Sequence, residues 1–186
     1  MNISDLIADV HQTALDHGWW DDGRDARETV ALIHSELSEA LEQARKNMPM
    51  MYSNPEKPEK MEGVAVELID CVIRIMDFMG HYDIHYVAKS ERPVYINEDE
   101  PLPILICKLH AIISSVFGPA LVDSTDVGIN IDNGDVCGAF EVGWCFSNVI
   151  DMIFKWLRYR GVSPESVLQE KAAYNRTRPY KHGKAF

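Results

Sequence analysis

Long apolar runs are missing from this chain, and so are the marks of export. No stretch of its 186 residues has the length and apolarity of a membrane-spanning helix. The opening MNISDLIADVHQ lacks the basic and apolar regions of a signal peptide. No membrane role is expected, and the expected compartment is the cytoplasm. Cysteine is scarce: Cys71, Cys107, Cys137 and Cys145 show no Cys-x-x-Cys spacing. That disfavours a zinc ribbon or a disulfide framework and points to buried, reduced thiols. No glycine-rich phosphate loop ending in Gly-Lys-Ser/Thr occurs, and no Ser-His-Asp order is evident. Positive charge is scarce too, except at the end. Residues 155–186 hold eight Lys or Arg against two acids, a local charge of +6, so the other 154 residues carry −17 of the formal −11. A body so acidic repels a nucleic-acid polymer, yet it could hold a small anion that arrives with a metal ion.

What the chain does have is two acidic pairs in helical surroundings, Glu36-x-x-Glu39 and Glu67-x-x-Asp70. Residues three apart share a helix face, so each pair aims two carboxylates in one direction. Four carboxylates on two helices form a hard-oxygen cluster suited to Mg²⁺, with Mn²⁺ as the other candidate. A solvated face would explain either pair alone. Two pairs, each bordering an apolar stripe, argue for convergence. A carboxylate-bridged di-iron site would need Glu-x-x-His pairs, and neither motif is followed by such a histidine.

The pattern reads as helical throughout. Ser4 is expected to cap a first helix carrying Ile3, Leu6, Ile7, Val10 and Ala14, and Gly18 to stop it. Asp25 and Glu28 read as a capping box for a second helix with Val30, Ile33, Leu37, Ala40 and Ala44 on its apolar stripe. Pro49, Pro55 and Pro58 mark a loop. A third helix is expected over about 61–80, burying Val64, Leu68, Cys71, Val72, Ile75 and Met79, with Glu67, Asp70 and Arg74 on another face. The Gly-, Asp- and Asn-rich stretch from Gly118 to Gly138 reads as a long loop. Ser163 and Pro164 open a final helix that ends near Pro179.

The second half echoes the first. Leu32–Glu39 aligns with Leu105–Ile112, and Glu67–Asp70 with Asn148–Asp151. In the second copy three carboxylates have become Leu109, Ile112 and Asn148, and Asp151 alone remains. The expected organisation is one all-α domain of two fused helical hairpins, the second degenerate. Its parts are a catalytic repeat at 1–88, a connector at 89–103, a degenerate repeat at 104–162, and a final helix with a basic tail at 163–186.

The runs ALIHSELSEALE, VELIDCVIRIMDFMG and EKAAYNRTRPYKHGKAF resemble the MazG-like all-α nucleoside triphosphate pyrophosphohydrolases. The likeness covers residues 17–47, 61–86 and the tail from about 161, and the segment from roughly 87 to 160 is an insertion. It implies a MazG-like helical bundle and Mg²⁺-dependent hydrolysis of a nucleoside triphosphate to the monophosphate and pyrophosphate. Glu36, Glu39, Glu67 and Asp70 would be the metal ligands. In single-repeat relatives a second subunit completes the bundle; here the fused repeat could do so, which leaves a homodimer open. A non-catalytic nucleotide-binding or regulatory protein on the same fold is the alternative.

Either Glu36 or Glu39 could orient or deprotonate the attacking water. Lys171, Asn175 and Arg178, spaced i, i+4 and i+7, are expected on one helix face toward the phosphates, followed by Lys184. Trp19, Trp20 and His34 are candidates for contact with the base. Glu39→Gln or Asp70→Asn is expected to remove most activity while leaving the helices folded, and relief of acidic repulsion could raise the melting temperature of the metal-free protein.

Overall fold

The computed structural model describes the backbone of residues 2–88, 97–123 and 136–183, with side chains throughout except at 116–123, 136–140 and 182–183. Six α-helices dominate the described residues: α1 (Ile3–Asp16), α2 (Ala26–Arg45), α3 (Val64–His81), α4 (Leu102–Asp123), α5 (Val136–Tyr159) and α6 (Pro164–Arg176). The described residues are therefore all-α apart from one small ribbon. None of these helices is long and apolar enough to cross a membrane.

Local sequence accounts for most of the helix ends. Asn2, not Ser4, caps α1, its side chain accepting from the Ser4 N–H; asparagine also caps well, and a cap two residues earlier lets Ile3 enter the helix. Asp25 caps α2 by accepting from the Arg27 N–H, 2.7 Å. The reciprocal half of the expected box is not made, because the Glu28 carboxylate accepts from Arg24 Nε instead, 2.8 Å. Ser163 caps α6 with Pro164 beside it, and α6 stops at Arg176, before Pro179. The helices of the second hairpin run to Asp123 and from Val136, into the stretch expected to be loop. Single Gly and Pro residues weaken a helix without obliging it to stop.

The proline loop conceals a two-stranded antiparallel ribbon, β1 (Tyr52–Ser53) and β2 (Met61–Glu62), with Tyr52 opposite Glu62. Strands of two residues leave no periodicity to read. Its turn is held by Asn54, whose side-chain oxygen accepts from the Glu56 and Lys57 N–H groups. Gly63 joins the ribbon to α3 at φ +119°, where a Cβ would stand 2.6 Å from the Met50 carbonyl oxygen. Only glycine fits there.

α3 is the central helix. Instead of a single buried stripe it buries residues around most of its circumference, including Ala65, Val66, Ile69, Met76 and Phe78, because α1, α2, α5 and α6 all pack on it. A helix apolar on all sides is an interior helix. α2 and α3 form one antiparallel hairpin and α4 and α5 another; α2 lies against α4 and α3 against α5. Ile33, Leu37, Leu68, Ile75, Leu105, Leu109, Ile113 and Phe146 fill the shared core, each contributing roughly 1.5–3 kcal/mol by leaving water. Leu109 is fully buried and Ile112 is partly buried against the same core. Asp151 is also buried, accepting from the Tyr86 hydroxyl at 2.8 Å. Cys71 is buried and Cys145 half-buried, but Cys107 faces outward on α4, contrary to the expectation for an apolar run; Cys137 lies outside the described side chains.

Candidate metal and phosphate cleft

α2 and α3 run antiparallel, so the second acidic motif meets the first. Glu36, Glu67 and Asp70 each offer one carboxylate oxygen within 4.8 Å of the others. Glu36 points inward and is 7% exposed. Glu39, one position round the helix, stands exposed on the rim and accepts from the Ser35 hydroxyl at 3.0 Å. At such distances two carboxylates repel by about 3 kcal/mol with an effective dielectric constant near 20. The site offsets this with two cations, Arg74 and Lys171, whose pairing with these carboxylates the sequence did not reveal. Arg74 donates to Glu36 at 2.5 Å, and Lys171 Nζ lies 2.6 Å from Asp70 Oδ2. Arg74 is four residues after Asp70 and on its face, so its position was legible; its partner on α2 was not.

The remaining imbalance shows in proton affinity. Burial, then the neighbouring Asp70 carboxylate, pushes the Glu67 carboxyl up to about 7. Glu36 is raised mainly by burial, with Arg74 acting against it. Three carboxylates against two cations leave one negative charge, and Glu39 at the rim makes it two, the charge of one divalent ion. Each ion pair engages one oxygen of its carboxylate, and all donors are hard oxygens. The residues present therefore fit Mg²⁺ or Mn²⁺; no other trio of potential ligands this close occurs among the described residues.

These groups line one cleft of about 320 Å³, bounded also by Lys60, Lys171, Asn175, Arg178, Arg24, Trp19, Asp77 and the apolar Val10, Ala14, Leu32 and Ile73. The first acidic motif, the second, and the tail residues Lys171, Asn175 and Arg178 are thus brought together. Arg178 arrives by a different route from the one expected: it lies past the end of α6, in a turn where its N–H donates to the Asn175 carbonyl at 3.2 Å. The tail is pinned near the cleft. The Tyr180 hydroxyl donates to Asp21 at 3.0 Å, the Lys181 N–H donates to the His17 carbonyl at 2.9 Å, and Arg176 pairs with Asp9 and Lys181 with Asp22. Gly18, at φ +71°, makes room for the Tyr180 ring, which a Cβ would overlap. Lys184 lies outside the described residues. Lys60, from the ribbon, was missed; it pairs with Glu62 at 2.8 Å, which holds the Glu62 carboxyl down at about 2.

Of the three candidates for base contact, Trp19 alone lines the cleft. Trp20 is buried, donates from Nε1 to Asp77 Oδ1 at 3.0 Å, and stacks on His81 at 3.5 Å between centroids. His34 turns to α4, its Nδ1 2.7 Å from that of His110. Which of two adjacent tryptophans turns inward is set by the partner it meets, here Asp77 and His81 for Trp20, and a histidine on a helix joining two hairpins can face either one. The chain has no significant match among protein-family models, curated proteins or solved structures.

Proposed function

We propose that this chain is a Mg²⁺-dependent nucleoside triphosphate pyrophosphohydrolase of the MazG-like type, a hydrolase acting on acid anhydrides. The observation that carries the reading is the placement of Glu36, Glu67 and Asp70 within one ligand sphere, in a cleft whose other wall presents Lys171 and Arg178. Glu36, Glu67 and Asp70 would hold the metal, with Glu39 at the edge. When bound, the ion supplies Lewis-acid polarisation of the phosphoryl group and charge neutralisation. Lys171 and Arg178 would bind the outer phosphates, stabilising negative charge as the bond to the α phosphorus breaks and pyrophosphate leaves. Water supplies the new oxygen, and its proton goes to a carboxylate. Glu36 is tied to Arg74, so Glu39, which has no ion pair among the described residues, is the better placed acceptor. The α4–α5 hairpin, with Leu109 facing the core where α2 carries Glu36, would act as a structural half that completes the bundle.

One observation favours the non-catalytic alternative: Arg74 and Lys171 already neutralise part of the carboxylate cluster, as a metal-free binding protein would require. A panel of NTPs and dNTPs incubated with Mg²⁺ or Mn²⁺ separates the two. The proposal expects monophosphate plus pyrophosphate, abolished by EDTA. Tight nucleotide binding without turnover would establish the alternative, and diphosphate plus phosphate would move the cleavage to another bond.

A further inference from the structure

Arg24 is the least explained charge in the cleft. Its side chain is 5% exposed, and its Nε–H donates to Glu28. Its guanidinium lies over the Trp19 ring, 4.9 Å from the centroid, and 6.0 Å from that of Trp20. Its Nη2 is buried and has no hydrogen-bond partner among the described residues, although the side chain lines the cleft. Buried donors are almost always paired, and an unmet one forfeits its hydration without replacement. A ligand oxygen is the acceptor that would remove this cost.

Three features say which oxygen. Glu28 already neutralises the Arg24 charge, so Nη2 acts as a hydrogen-bond donor more than as a counter-ion. Its guanidinium has two aromatic neighbours, Trp19 and Trp20, and the cleft it lines carries the apolar Val10, Ala14 and Leu32 as well. Asp77, another cleft residue, accepts from Trp20 Nε1 and from His11 Nδ1, and both bonds fall on Oδ1. A carboxylate there repels phosphate and leaves Oδ2 as an acceptor. A donor at Arg24 and an acceptor at Asp77 match a carbonyl beside an N–H.

We propose that Arg24, with Asp77, reads the lactam edge of the base, so that the cleft selects nucleotides of uracil, thymine or guanine. Adenine has no carbonyl oxygen for Arg24. Cytosine has one, but its N3 is an acceptor and would meet the Asp77 carboxylate. This inference rests on the reading of the cleft as a nucleotide site, and it makes Arg24 a specificity residue outside the metal and phosphate machinery.

The test is calorimetric titration of the whole chain, with Mg²⁺, using the α,β-imido analogues of dUTP, dTTP, dGTP, dCTP and dATP, which resist cleavage at that bond. Tripolyphosphate serves as a probe without a base. The expected result is roughly tenfold or tighter binding of the three lactam bases over the other two. Arg24→Gln should collapse that preference to within about twofold while leaving tripolyphosphate affinity unchanged. Arg24→Lys, which keeps the charge but loses the planar fork, should lose most of the preference as well. Three results would overturn the proposal: no lactam preference in the unmodified chain, a preference that survives both substitutions, or a parallel loss of tripolyphosphate binding, which would make Arg24 a phosphate clamp. The panel on the unmodified chain decides the matter even if both variants fold poorly. If no analogue binds at all, the nucleotide reading of the cleft falls with it.

Discussion

Glu67→Gln should make the metal-free protein more stable at neutral pH, although it removes a proposed ligand. Glu67 stands among Asp70, Glu36 and Glu39, and its carboxyl is raised from 4.5 to about 7 by burial and by those neighbours. A raised acid favours the fold while protonated. That stability is fully present below the unfolded value near 4.5 and is lost as pH rises through 7. A rise of that size corresponds to a ceiling of roughly 3 kcal/mol. Because the side chain is only part-buried, screening by water reduces this to about 1–2 kcal/mol. Glutamine keeps the shape and removes the charge. In EDTA near pH 8, Glu67→Gln should therefore melt roughly 3–6 °C above the wild type, and below about pH 4.5 the two should converge. Saturating Mn²⁺ should reverse the order at about pH 8, because the wild type binds the ion more tightly and gains more by mass action. Thermal melts across pH, with EDTA and with Mn²⁺, measure all three. A variant that melts lower than the wild type in EDTA at every pH would show that the carboxylates do not repel as this geometry requires.

Asp70→Asn should behave in the opposite way from the relief of repulsion expected from sequence: it strands the buried Lys171 ammonium and should lower the metal-free melting temperature, by about 2–3 kcal/mol of stability in the same melts. Glu39→Gln, at the exposed rim, should change stability little while removing most turnover, and a variant retaining wild-type kcat would clear Glu39 of any role in activating water. Lys171→Ala and Arg178→Ala should each cut kcat/KM by more than about tenfold, near 1.4 kcal/mol, whereas Lys57→Ala, an exposed cation of the ribbon turn, should not. Leu109→Glu should cost about 3–5 kcal/mol in denaturant unfolding, since it buries an unpaired charge, and Ile112→Glu distinctly less because that site is only partly buried.

The helices, the ends of α1, α2 and α6 to within a few residues, and the directions of Glu36, Glu67 and Asp70 were decided by sequence alone, because a 3.6-residue period puts residues three apart on one face and because Asp25, Ser163 and Gly18 satisfy or release the backbone locally. Periodicity names a face; it does not say what that face meets. That Lys171 closes on Asp70 and Arg74 on Glu36, that Trp20 turns into the core while Trp19 stays in the cleft, and that His34 pairs with His110 all depend on partners tens of residues away. Those choices were made by the packing of α1, α2, α5 and α6 around α3. The same packing left Arg24 Nη2 without an acceptor. Burial sets the energetic weight of each such contact, and burial is a property of the assembled bundle, so the chemistry of the cleft could be read only once the helices were in place.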